Sequence, residues 1–289
     1  MKPLHSRPLP WLGLWAVATY GLLFAPILVI ALFSFNAPQS RFNLLWHGFS
    51  LENWRHPLAV PALGEAFLTS LRLALLAGLL ATVLGGLLSL ALARGRRRGQ
   101  SWIELLLVLP LTSPEIVLGT ALLSLFVQAG VPLGFGSLLL SHSLFCLSYA
   151  ALTLRARLSG FDWSLEDAAQ DLGAPPLRAF FGVTLPRLAP GLLAAVLLSF
   201  SLSFDDYVVA LFTGGSTVTF PLYIAGSLQR EIPPQIHVLS TWILLLSLGL
   251  LALSLRGAET PPGADPGDAA RRRGSRHCRG TPADPHRAP

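Results

Sequence analysis

Residues 155–187 read RARLSGFDWSLEDAAQDLGAPPLRAFFGVTLPR. This polar stretch lies between two apolar runs and is longer than a simple connector needs to be. Its residues punctuate it as two short helices. Ser164 is placed as an N-cap, and Asp167 stands three residues later, near the capping-box spacing. Glu166 and Asp167 fall in the first turn, where negative charge complements the helix dipole. Ala168 and Ala169 give a small-residue face that another protein's groove could approach closely. Gly173 suits a left-handed helix end. Pro175 and Pro176 suit the start of a second helix. That helix carries Leu177, Phe180, Phe181 and Val183, and Pro186 is expected to end or kink it. Two readings fit such a helix: it docks into a partner, or it lies flat on a membrane surface.

The flanking runs explain why a membrane enters the argument. Of the 289 residues, 12% are charged and 52% hydrophobic, and the mean hydropathy is +0.58. A water-soluble domain carries about 25% charged residues, so too few polar side chains remain to cover a wet surface. About 20 apolar residues cross the hydrocarbon core as a helix. Six stretches qualify: 11–35, 66–93, 102–129, 135–154, 188–213 and 236–255. None alternates as a strand would, and lipid excludes open sheets. The expected fold is therefore all-α, an integral membrane protein of six transmembrane helices. The first run exceeds the 7–15 apolar residues of a signal peptide and is read as a retained span.

Arginine and lysine placement orients the spans. Lys2 and Arg7, then Arg94, Arg96, Arg97 and Arg98, then Arg155, Arg157, Arg178 and Arg187, then Arg256, Arg271, Arg272 and Arg273 fall in alternate loops and tails. The opposite side holds only Arg41, Arg55 and Arg230, with Arg72 just inside the second span, where it can snorkel outward. Both termini are thus expected in the cytoplasm. The net charge of +6 reflects these flanking residues rather than a nucleic-acid partner. Cys146 and Cys278 support neither a disulfide framework nor a metal site. The outer segments 36–65, with Trp46 and Trp54, and 214–235, with Pro221, Pro233 and Pro234, read as ordinary loops or as a docking surface. Residues 257–289, rich in Pro, Gly, Arg and Ala, cannot bury enough surface to fold. They read as a disordered, dispensable tail.

The loop then becomes recognisable. Glu166, Ala168, Ala169, Gly173, Val183, Leu185 and Pro186 spell E-x-A-A-x-x-x-G, nine residues, V-x-L-P. This resembles the EAA loop of bacterial ABC importer permeases. The resemblance implies that the loop is a coupling helix seated in a groove of an ATPase subunit, with Glu166, Ala168, Ala169, Gly173, Leu185 and Pro186 as its coupling residues. GFSLENW (48–54), SPEIVLGTALLSLF (113–126), GFGSLLLSHSLFCLSY (134–149) and LSFSLSFDDYVVALFTGG (198–215) extend the likeness to the permeases of spermidine/putrescine importers, in particular the second of their two permease subunits. The likeness runs from about residue 10 to 256. It implies a type I importer permease fold with a permease domain over 65–256 preceded by 1–64, placed in the bacterial inner membrane. It also implies a second permease subunit as partner in a heterodimer, a cytoplasmic ATPase dimer and an external substrate-binding protein. No phosphate loop of the form G-x-x-x-x-G-K-[ST] occurs here, so ATP hydrolysis is expected of another chain, and no cofactor is expected.

Three acids fall inside apolar spans: Glu115, Asp205 and Asp206. A charge there costs roughly 2.5–3.5 kcal/mol, so each is expected to face a cavity or a partner. At about 1.5 Å per residue all three sit at middle to outer depth. They read either as contacts for a cationic substrate or, for the Asp pair, as caps of a broken helix. His142 reads as packing near the outer boundary. Pro110 and Pro114 bracket an expected irregularity in the third span. Another small solute (ferric iron, an inorganic anion, a modified amino acid) is the competing cargo, and the acids favour a cation. A secondary transporter would show two similar halves with matching breaks, and none is visible.

Overall fold

The computed structural model describes residues 10–40, 42–95 and 99–258. The tail 259–289, the first nine residues and several orienting arginines (Arg41 and 96–98) lie outside the described residues. Helices follow in the order α1 Pro10–Phe33, α2 Glu52–Arg55, α3 Pro61–Ala93, α4 Gln100–Thr112, α5 Glu115–Gln128, α6 Phe135–Leu158, α7 Ser164–Asp171 and α8 Pro176–Ala179. A π-turn over Phe180–Thr184 leads into α9 Leu185–Asp205, and α10 Val208–Thr213, α11 Phe220–Ser227 and α12 Pro234–Ala258 complete the order. Apart from two isolated bridges, Asn36 with Phe49 and Phe42 with Ile232, no strand pairing occurs among the described residues. The chain divides into compact units at Val238 and Leu239, the second containing, of the described residues, the remainder of α12.

Four described helices are long and apolar enough to cross a membrane: Gly13–Phe33, Pro61–Ala93, Phe135–Leu158 and Pro176–Asp205. The expected third span is not one rod. It breaks between α4 and α5, with a bend of 111°. Ser113 is extended (ψ 137°) ahead of Pro114, because the proline ring disfavours helical geometry in the residue before it. Pro110, by contrast, stays inside α4. The expected fifth span also differs at both ends. Pro186 does not end the helix: it sits in the first turn of α9, where its missing N–H is least costly, and helix runs from Pro176 to Asp205. The far end breaks at Asp206, whose backbone is extended (ψ 122°). The sixth candidate lies within α12, whose shorter apolar part is Pro234–Gly249.

The first unit is organised around α3, which packs against both α6 and α9. Its buried face is built from small residues, among them Ala74, Ala77, Gly78, Ala81, Gly85 and Ser89. Such residues let membrane helices approach closely. A Cβ at Gly85 would lie 2.9 Å from the Ala151 amide nitrogen on α6, and one at Gly78 would lie 3.2 Å from that of Phe200 on α9. Ser89 Oγ donates across the same seam to the Ala151 carbonyl at 2.8 Å. Gly85→Val is therefore expected to destabilise the chain by about 3 kcal/mol, at the top of the range for overpacking. Thermal inactivation in detergent measures this, with Gly136→Ala, where a Cβ meets nothing within 4 Å, as the control. Equal stability of the two variants would show that α3 and α6 are not in close contact. Helix α1 has no buried part in its apolar window. A helix apolar all round belongs in lipid or against another span.

Hydrogen bonds tie together the segments 36–65 and 214–235. The Asn36 amide donates to Asn43 Oδ1 at 2.7 Å and to the Leu45 carbonyl at 2.7 Å. Asn43 in turn takes its amide to the Phe33 carbonyl at 3.0 Å, and its backbone N–H meets the Ile232 carbonyl at 3.1 Å. This buried pair ties 36–65 to 214–235. Trp54 stacks on Phe35 with centroids 5.0 Å apart and donates its indole N–H to Ser34 Oγ at 3.2 Å.

Candidate functional sites

The loop between α6 and α9 keeps its two-helix form but is capped differently from expectation. Ser164 is the first residue of α7 and donates rather than accepts: its amide and hydroxyl reach Asp162 Oδ1 at 3.1 and 2.7 Å. An aspartate side chain readily accepts from the residue two positions on, and the N–H groups of Glu166 and Asp167 go to the Trp163 carbonyl at 3.0 and 3.2 Å instead of to the Ser164 hydroxyl. The Ser164 hydrogen bonds hold the Asp162 carboxyl below the usual carboxylate range. The other end follows the expectation. Gly173 has φ +89°, its N–H donates to the Gln170 carbonyl at 2.8 Å, and the Ala174 N–H donates to the Ala169 carbonyl at 3.0 Å. These two bonds make a Schellman motif, which needs a residue in the left-handed region. The exposed side of the loop carries Leu165, Ala168, Leu172, Leu177 and Phe181, with Leu172 90% exposed. Pro186 is also exposed, while Ala169 and Leu185 are half-buried.

Glu166 departs from the pattern. It is only 5% exposed and turns into its own chain. Arg94 Nη2 donates to Glu166 Oε1 at 2.5 Å and Oε2 at 2.7 Å, and the Thr184 hydroxyl donates to Oε2. The Arg94 guanidinium also sits over the Trp163 ring, 5.3 Å from its centroid. Arg94, Thr184 and Trp163 were not singled out by sequence reading. Arg94 registered there only as one of several orienting charges.

The second site gathers the intramembrane acids. Helices α5 and α10 pack together through Leu122, Phe126 and Val209, with Gly119 lying directly under the Phe212 ring. This brings the start of α5 beside the α9–α10 break. Glu115, Asp205 and Asp206 then line one cavity of about 260 Å³ with Phe145, Ser201, Leu202, Tyr207 and Val208. Glu115, Asp205 and Tyr207 are exposed to it, and the tyrosine was missed by sequence reading.

Asp206 has a different environment, and it is the capping role anticipated for the pair that it fills. Its residue exposure is 8%. Its oxygens accept from the N–H groups of Val209 at 3.3 Å and Ala210 at 3.0 Å, satisfying the first donors of α10. His142 Nε2 lies 3.3 Å from Asp206 Oδ2 without a hydrogen bond to it. His142 Nδ1 is 2.9 Å from Ser203 Oγ. His142 takes the packing role expected of it: it is 1% exposed and braces the helix break from α6.

The sequence profile described as "Binding-protein-dependent transport system inner membrane component" matches residues 81–258. The spermidine/putrescine transport system permease protein PotC of Haemophilus influenzae is 39% identical over 236 residues, covering 81% of this chain and 91% of that protein. Its namesake from Escherichia coli K12 is 37% identical over 243 residues, covering 84% and 91%. Among solved structures, a bacterial ABC transporter involved in the import of the acidic polysaccharide alginate superposes with a TM-score of 0.61 at 17% identity, covering 90% of this chain and 100% of that one. At that identity the likeness speaks to the fold alone.

Proposed function

Because this chain belongs to the family of binding-protein-dependent transport system inner membrane components, we propose that it is the permease subunit of an ATP-driven importer and that its cargo is a polyamine. Its relatives at 37–39% identity are named as spermidine/putrescine permeases. The observation that carries the cargo class is the cavity where Glu115, Asp205 and Tyr207 converge. A polyamine presents several separated ammonium groups. Two exposed carboxylates on different helices can each meet one, and a tyrosine face attracts a third by cation–π contact. An anion would meet only repulsion there.

Partners follow from the same reading. An ATPase dimer seats on the apolar, exposed face of α7 and α8, since no phosphate loop occurs in this sequence. A second permease subunit completes the pathway, and an external binding protein delivers cargo to the platform of 36–65 and 214–235. Cells lacking the chain are expected to stop accumulating labelled spermidine or putrescine, and to recover when it is restored. Unchanged accumulation of both would refute the cargo.

We place both termini in the cytoplasm with six crossings, α4–α5 and α9–α10 each serving as one broken crossing. A reporter active only outside the cytoplasm should be silent when fused after Arg98 and active within 36–65. The reverse result would invert the topology.

A further inference from the structure

We propose that Arg94, Glu166 and Thr184 form a latch that makes the coupling helix move as one body with α3 and α9. This rests on the reading of α7 as the helix that docks on an ATPase. The motif glutamate would ordinarily be taken as a contact for that partner, but its carboxylate faces the other way. Leu165, Asp167 and Ala168 around it are exposed, whereas Glu166 is 5% exposed.

Each element of the latch joins α7 to a different membrane helix. Arg94 is the residue that follows α3, a helix of 33 residues. Both contacts to Glu166 come from one guanidinium nitrogen, at 2.5 and 2.7 Å. Charge-assisted bonds of this kind are roughly twice as strong as neutral ones. The Trp163 ring beneath the guanidinium holds it in place from the same loop.

Thr184 supplies the second tie. It is completely buried and ends the π-turn Phe180–Thr184, after which the Leu185 N–H reaches back to the Phe180 carbonyl. A π-turn inserts one residue into helical winding and frequently marks a functional position. Here the inserted residue sets the hydroxyl against Glu166 Oε2. Since α3 and α9 pack on each other, both ties lead into the same bundle. Displacement of α7 by a docked partner therefore moves that bundle rather than only the loop. The Glu104–Arg155 pair at 2.7 Å joins α4 to α6 and takes no part.

The test separates a latch from a partner contact. The complete complex is reconstituted in proteoliposomes with Arg94→Gln, Glu166→Gln or Thr184→Val, and labelled polyamine transported per ATP hydrolysed is measured. Hydrogen exchange at 164–173 is followed in the full chain alone. The latch predicts that Arg94→Gln lowers the transport ratio about tenfold, as does Glu166→Gln, with Thr184→Val about threefold. Each variant should also exchange faster than wild type over 164–173. A partner contact predicts instead that Arg94→Gln leaves the ratio unchanged, because it frees the carboxylate. An unchanged ratio or an unchanged exchange rate in both Arg94→Gln and Thr184→Val overturns the latch. If Arg94→Gln does not assemble, Thr184→Val, which keeps the side-chain shape, decides. No uptake by the wild-type complex would refute the importer reading, and the exchange rates alone would then decide whether the latch exists.

Discussion

Valine at position 173 is expected to lower uptake by roughly thirty- to 150-fold while cargo binding to the external protein is unchanged. The reason is local. Gly173 sits at φ +89°, and a Cβ there would meet nothing within 4 Å. No clash with a neighbour contributes, only the backbone conformation itself. A β-branched residue in the left-handed region costs about 2–3 kcal/mol, the upper part of the range for such strain, and each 1.4 kcal/mol is a tenfold change in population. The Schellman bonds from Gly173 and Ala174 then open, and α7 loses its defined end and direction into α8. A graded series follows, because asparagine tolerates this region better than alanine, and alanine better than valine. Uptake should fall in the order Gly173→Asn, Gly173→Ala, Gly173→Val. Equal effects for all three would mean that the loss has another origin.

The second large effect belongs to the acid-lined cavity. Asp205→Asn and Glu115→Gln keep size and hydrogen-bonding capacity while removing charge. Each is expected to raise the apparent KM for a polyamine about five- to thirtyfold with ATP hydrolysis retained. A charge-assisted hydrogen bond contributes about 1.5–3 kcal/mol, and the exposure of both groups reduces this to about 1–2 kcal/mol. Asp206→Asn should behave differently. Its oxygens cap α10 and face His142, so it should lower the amount of folded protein, by about 1–2 kcal/mol of stability for a lost cap. Kinetic comparison of the three variants at equal amounts of assembled complex checks this. If Asp206→Asn alone lost uptake at full assembly, the roles of the two aspartates would have to be exchanged.

The sequence conveyed some of these features and concealed others, for physical reasons. Crossing segments are legible because hydropathy over about 20 residues is a property of the chain itself. The left-handed turn at Gly173 is legible because it needs only local residues. Mean hydropathy hardly changes at the breaks at Ser113–Pro114 and at Asp206, so the first is signalled only by Pro110 and Pro114 and the second only by the acid pair. Pro110 and Pro114 look alike in sequence, and only one breaks its helix, because Pro110 is accommodated within α4. The three acids were found by their cost in lipid, yet their division of labour depends on His142, 64 positions before Asp206 in the numbering. Glu166 shows the same limit most clearly: its spacing identified the motif, but its direction is set by Arg94, 72 positions away.

The most direct measurement is uptake into proteoliposomes that contain this chain with the second permease, the ATPase and the binding protein. Labelled spermidine, putrescine and phosphate are offered with and without ATP inside the ATPase-facing compartment. The account predicts ATP-dependent accumulation of at least one polyamine, no accumulation of phosphate, and loss of transport when this chain is omitted. Accumulation of phosphate, or polyamine uptake that proceeds equally without ATP, would contradict it.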